Sequence, residues 1–176
     1  MGRRLRRISV EYWIVYDVAT GAVLYRGEGS VGTARYQALP EGAALITVPH
    51  AVVASVELNL VALRTALAAR VDADAEAMRM RFLTPGAGQA MTYQRKEAEA
   101  RAYLADAGAP VPFLAAEAPA RGMTIEALAV EVVDRANAWT AIGSTIEALR
   151  LGAKGGVEIA TTLGSILAAA TVTWPA

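Results

Sequence analysis

The chain contains no cysteine among its 176 residues and only one histidine, His50. The first absence removes disulfide staples, thiolate metal sites and cysteine nucleophiles. The second excludes a metal site built on several imidazoles and leaves His50 as the one residue through which a Ser-His-Asp triad could act. No GxSxG elbow accompanies it, so a structural or exposed place after Pro49 is the expectation. Charge of one sign is also lacking: 17 Lys and Arg balance 17 Asp and Glu. No global field draws a polyanion, and no nucleic-acid partner is expected. Arg3, Arg4, Arg6 and Arg7 make the start locally basic, and such an end is read as solvated and frayed. Long apolar runs are missing as well. "IATTLGSILAAATVTW" falls short of the roughly 20 apolar residues that a spanning helix needs. "ISVEYWIVYDVATG" carries Glu11 and Asp17 where a secretory signal needs an unbroken apolar core. Neither a signal peptide nor membrane insertion is expected, and the chain reads as soluble.

What is present begins with strand vocabulary. "EYWIVYD", "AVLYRGEG" and "AALITV" are rich in aromatic and β-branched residues, and "ATG" between the first two reads as a hairpin turn with Gly21 at positive φ. A third strand follows "LPEG", where Pro40 presets φ and Gly42 relieves the turn. "AVVASVE", residues 51–57, reads as a fourth strand, because valine favours the pleated conformation. From there the period changes. Asn59 is placed to cap a helix running to about Phe82, with Leu60, Leu63, Leu67, Val71, Ala75, Met78 and Phe82 on one stripe. A second helix spans about 89–105, with Glu97 and Arg101 spaced for an ion pair. Gly108, Pro110 and Pro112 then break the chain, and a short helical turn holds 113–118. The longest helix runs from Ile125 to about Leu151 behind Thr124 as N-cap, with its apolar stripe at Ile125, Leu128, Val132, Ala136, Trp139, Ile142, Ile146 and Leu149. Gly152, Gly155 and Gly156 are expected to interrupt it, and a last helix occupies about 162–170. The fold class is therefore α+β, a small N-terminal antiparallel β-meander over residues 1–58 followed by a mainly α-helical bundle over 59–176.

Three groups of residues bear on chemistry. "TPGAGQAMTYQRK" resembles a phosphate loop at first sight, but Met91 stands where a dinucleotide fingerprint needs its third glycine, and a helix rather than a strand precedes it. Lys96 lies well past Gly88 and is followed by Glu97, so a P-loop fails too. The stretch is read as an inter-helix turn, in which Gln89 and Thr92 can cap the helix and the Tyr93 hydroxyl can find a partner. Asp72, Asp74 and Glu76 form the tightest acidic cluster. Alternate residues on a helix diverge, however, and do not converge on one cation. No catalytic residue, metal site or cofactor is assigned. The third group is aromatic: Tyr12, Trp13, Tyr16, Tyr25 and Tyr36. Alternation puts Trp13 on the face opposite Tyr12 and Tyr16. Helices cover only one face of a small sheet, so these five are the candidate partner-binding residues, with intramolecular burial as the rival reading.

At "VDADAEAMRMRFLTPGAGQAMTYQRKEAEARAYLADAG" the sequence resembles a helical module of tail and tail-fibre-associated proteins of tailed phages and prophages. The likeness is carried most by "RFLTPGAGQAMTYQRK" and continues through "RGMTIEALAVEVVDRANAWTAIGSTIEALRLGAK" to "VTWP". "YWIVYDVATGAVLYRGEG" similarly looks like the small β-modules that begin such proteins. The resemblance implies a non-enzymatic virion component near the tail tip, with other tail or fibre proteins as partners and a homo-oligomer or attachment to one. It implies a place in the virion tail, and in the host cytoplasm during assembly. The alternative it leaves is an assembly chaperone that caps a fibre tip. A glycan hydrolase using paired carboxylates is the enzymatic rival, and it requires an acidic pair roughly 5 to 10 Å apart in a pocket.

Overall fold

The computed structural model describes residues 9–84 and 86–175. Arg3, Arg4, Arg6 and Arg7 lie outside them. Three strands come first: β1 (Val10–Asp17), β2 (Val23–Ser30) and β3 (Ala43–Val48). Six helices follow: α1 (His50–Val53), α2 (Leu60–Arg79), α3 (Ala87–Ala105), α4 (Pro112–Ala120), α5 (Ile125–Ile159) and α6 (Leu163–Ala170). A 3-10 turn at Ala34–Tyr36 interrupts the crossing from β2 to β3. The α+β arrangement read from the sequence is what forms.

The sheet is antiparallel in the order β2-β1-β3. β1 is thus central, and the sheet departs from a strict meander, in which β2 would sit in the middle. The reason is local. Val23–Ser30 pairs with β1 through the Gly21 hairpin, whose φ is +72°, and the segment 31–42 then crosses one face of the sheet to deliver β3 to the far side of β1. Gly42, at φ +73°, and the bond from the Ala43 amide to Pro40 O close that crossing. The fourth strand expected at 51–57 is absent. Pro49 takes extended angles at the N-cap, α1 forms for a single turn, and the Asn59 amide returns to Val52 O. The valines there bury Val52 in the core and need no ladder to do so.

The chain divides into two compact units. The first comprises the residues up to Asp74 together with Leu149–Thr173; the second comprises Ala75–Ala148 with the residues from Trp174 onward. The boundary expected at 58/59 is therefore not where the units part. The strands share one core with helices. Ile14, Ile46 and Val48 of the sheet pack with Val52, with Leu63 and Leu67 of α2, with Val157 of α5, and with Leu163, Ile166 and Leu167 of α6. A three-stranded sheet is marginal alone, and these apolar contacts supply its second layer.

Helix ends follow side-chain chemistry. Asn59 Oδ1 accepts from the Ala62 amide at 3.0 Å, and Thr124 Oγ1 accepts from the Ala127 amide at 3.1 Å. Thr162 and Ser165 form a reciprocal capping box at the start of α6. The expected break of the longest helix near Leu151 does not occur; α5 continues for 35 residues, to Ile159. Internal glycine costs a helix only about 1 kcal/mol each, and tertiary contacts offset that here. Val157 is buried in the core, Arg150 and Lys154 both reach Asp72 at 2.6 Å, and Arg64 donates through Nε and Nη2 to Ala160 O just past the helix end.

Within the second unit α3, α4 and the first half of α5 enclose a smaller core of Ala100, Leu114, Ala118, Leu128 and Ala129. The start of α4 has no capping side chain of its own, since Val111 occupies the N-cap and Pro112 follows. Glu99 of α3 performs the task from a distance: one carboxylate oxygen accepts from the Phe113 amide at 2.9 Å and the Leu114 amide at 3.2 Å. Only 6% of this residue is exposed. A charge-assisted bond at a helix N-terminus is where a buried carboxylate is best tolerated.

Candidate functional site

The five aromatic residues separate into two sets. On β1, alternation places Tyr12 and Tyr16 on the face of Ile14, where both pack half-buried against the helical core. Trp13 points the other way and is 4% exposed, in a small cluster with Val15 and Ala34. The face opposite the helices is therefore not bare. The crossing segment 31–42 covers it with its 3-10 turn, and Glu11 fixes that turn by accepting the Ala34 amide at 2.5 Å. That bond, with others from Gly32 and Thr33, holds the Glu11 carboxyl below its ordinary value. Gly27 and Gly29 complete the arrangement, because a Cβ on Gly27 would fall inside contact distance of the Trp13 indole.

Tyr25 and Tyr36 remain at the surface. Tyr25 is 38% exposed, and its hydroxyl donates to Ala38 O at 3.1 Å. Tyr36 is 73% exposed, with the Arg35 guanidinium stacked 4.7 Å above its ring. Val23 and Leu24 of β2, and Val31 and Leu39 of the crossing segment, are also exposed. Intramolecular burial thus accounts for Tyr12, Trp13 and Tyr16, while Tyr25 and Tyr36 stay open to water. The sequence pattern did not distinguish these sets, because the covering segment 31–42 has no periodicity that announces it.

The remaining candidates have structural partners. His50 opens α1 with its ring 4.7 Å from that of Tyr12, tilted by 38°. Asp72, Asp74 and Glu76 stand on α2 with separate basic partners: Arg150 and Lys154 for Asp72, Arg70 for Asp74, Arg79 for Glu76. Hydrogen bonds from Lys154 and then Arg150 depress the Asp72 carboxyl. Among the described residues no group of three or more acidic or histidine side chains is disposed to hold a metal ion, and no helix is long and apolar enough to cross a membrane.

A turn at residues 80–82 precedes α3, which opens behind Gly86, whose φ of +124° no other residue type adopts readily. Neither Gln89 nor Thr92 caps the helix. Gln89 donates to the Tyr93 hydroxyl at 3.2 Å, and Thr92 bonds back to Gly88 O at 3.0 Å. Tyr93 does find a partner, donating to Thr84 Oγ1 at 3.2 Å. Its side chain therefore ties Thr84 to α3.

Two carboxylates that the sequence pattern did not single out have defined partners. Glu99 and Glu117 lie on α3 and α4, and their partners are the α4 amides and Lys96, the latter at 2.5 Å from Glu117. The signal that pointed to Glu99 was a missing one: "APVPF" begins a helix without a Ser, Thr, Asp or Asn at its cap. Comparison with protein-family models, with curated proteins and with solved structures finds no match to this chain.

Proposed function

We propose that the protein is a non-enzymatic structural component of a phage tail, docking to other tail or fibre proteins through the exposed aromatic surface of its sheet. The observation that carries the docking role is the contrast among five aromatic residues of one small sheet. Three are consumed by its own cores, while Tyr25 and Tyr36 stay open to water. Exposed aromatic side chains supply contact area at low entropic cost, which is the composition of protein interfaces. The tail context rests on the resemblance carried by "RFLTPGAGQAMTYQRK". The helical portion then acts as a spacer or outer face, and no step of covalent chemistry is required of it.

Mass spectrometry of purified particles tests this reading. The protein is expected in the particle, and a Tyr25→Ala, Tyr36→Ala double variant is expected to fold yet be lost from it. Recovery of tail fibres that fold and assemble normally in a deletion strain, with the protein absent from particles, contradicts it. Absence from particles together with loss of folded fibre identifies the chaperone role instead.

A further inference from the structure

The sheet ends on a strand with an open edge. Among the described residues β2 pairs with β1 alone, and two backbone bonds outside the strands fix which way its groups point. The Val31 amide donates to Ser9 O, and the Val18 amide donates to Gly42 O. With the register Val10 to Ser30 and Tyr12 to Val48, odd residues of β1 bond toward β2 and even ones toward β3. Antiparallel pairs alternate between bonded and unbonded. Gly27 and Gly29 therefore spend their amides and carbonyls on β1, whereas Arg26 and Glu28 direct theirs away from the sheet. No proline or lysine protects this edge, and natural sheets rarely leave such an edge unguarded.

We infer that β2 is the dimerisation edge of this protein, pairing antiparallel with β2 of a second copy about a twofold axis through Gly27. The charges select both occupant and register. Centred on Gly27, Arg26 of each copy lies opposite Glu28 of the other, and both pairs exchange their two backbone bonds. A shift of the axis to Arg26 or to Glu28 would set like charges against each other, which is destabilising. Glu28 has no ion-pair or hydrogen-bond partner among the described residues, so its carboxylate is available. The Arg26 side chain is held at the edge by its bonds to Ser55 O at 2.7 Å and Val56 O at 2.6 Å. Val56, 92% exposed, and Leu24 flank the edge and supply apolar surface for the second copy to cover. An isologous contact of this kind closes on itself and leaves no free edge on β2.

Among the described residues two edges of the sheet are open to pairing, and β3 offers the rival. Its sequence "AALITV" carries no charge to set a register, and its outward groups belong to Ala43, Leu45 and Thr47 by the same alternation. Sedimentation of the full chain over a range of concentrations decides. The wild type is expected to dimerise. E28R, which puts arginine against arginine, is expected to raise the dissociation constant roughly 10- to 100-fold. E28P removes only an outward amide, so its circular dichroism should match the wild type while the dimer is lost. T47P, which blocks the β3 edge in the same manner, should still dimerise. A wild type that stays monomeric at its highest soluble concentration overturns the inference. So does E28R or E28P that dimerises as the wild type does. The inference stands apart from the tail reading, since it concerns the chain in isolation.

Discussion

The two compact units are built from different materials. In the first, ten buried side chains, all of them Ile, Leu or Val, draw together β1, β3 and parts of α1, α2, α5 and α6. In the second, the buried cluster has five members, and three are alanine. Polar ties make up the difference there. Glu99 caps α4, Lys96 holds Glu117, and Arg121 bridges Glu117 and Glu131, which also meets Arg135. Arg79 reaches Glu147 in the same unit. Apolar burial is proportional to area and is not screened by ions, whereas exposed ion pairs weaken as ions screen them. One unit should thus be sensitive to volume and the other to charge.

The largest expected effect is in the apolar unit. Leu63→Ala or Ile166→Ala deletes a fully buried side chain and is expected to cost about 2–5 kcal/mol by chemical denaturation. Gly21→Ala comes next in the same unit. Its Cβ would lie 2.6 Å from the Gly164 Cα, at a φ of +72° that alanine resists, for a loss of about 1–3 kcal/mol. In the polar unit the counterpart is Glu99→Ala. It strips the Phe113 and Leu114 amides of their acceptor and should cost about 1–3 kcal/mol, with hydrogen exchange accelerating at the start of α4. An equal effect of Glu99→Ala on the amides of Leu63 and Leu67 would erase the distinction between the units.

Acid sharpens the comparison with a smaller effect. The carboxyls of Asp72, Glu11, Asp17 and Glu117 are all depressed by hydrogen bonds, from Lys154, the Ala34 amide, Thr20 and Lys96 respectively. A lowered folded value means that their contribution is complete above the unfolded value near 4 and is lost as pH falls through the folded one. The urea midpoint should therefore hold steady near neutrality and decline below about pH 4, and Asp72→Asn should flatten part of that decline. The smallest effect has the opposite sign. Gly152 and Gly155 have nothing near an added Cβ, whereas Gly156 would bring one 3.1 Å from the Ala169 Cβ. Gly152→Ala and Gly155→Ala should raise stability by about 0.5–1 kcal/mol each, and Gly156→Ala should fail to.

Those glycines also mark where sequence reasoning reached its limit. The caps at Asn59 and Thr124 were legible, because each acts on an amide three residues away and needs no tertiary knowledge. The positive φ of Gly21 and Gly42 was legible for the same reason. The continuation of α5 past Gly152 was not, since Val157 in the core and the pull of Asp72 on Arg150 and Lys154 are long-range. The turn at His50–Val53 was misread as strand because valine suits a buried helix turn as well as a ladder. Among the aromatic residues, alternation correctly set Trp13 against Tyr12 and Tyr16. Which of the five stay exposed depends on the path of 31–42 across the sheet, and no local pattern encodes it.

The contrast between the units can be tested in one experiment: residue-resolved hydrogen exchange of the intact chain at low salt and at about 1 M salt, where the screening length falls to roughly 3 Å. Protection of the α4 amides should fall at high salt as Lys96, Glu117, Arg121 and Glu131 uncouple, while the amides of Leu63, Leu67 and Ile166 keep theirs. Equal losses in both sets, or an earlier loss around Leu63 and Ile166, would contradict the account.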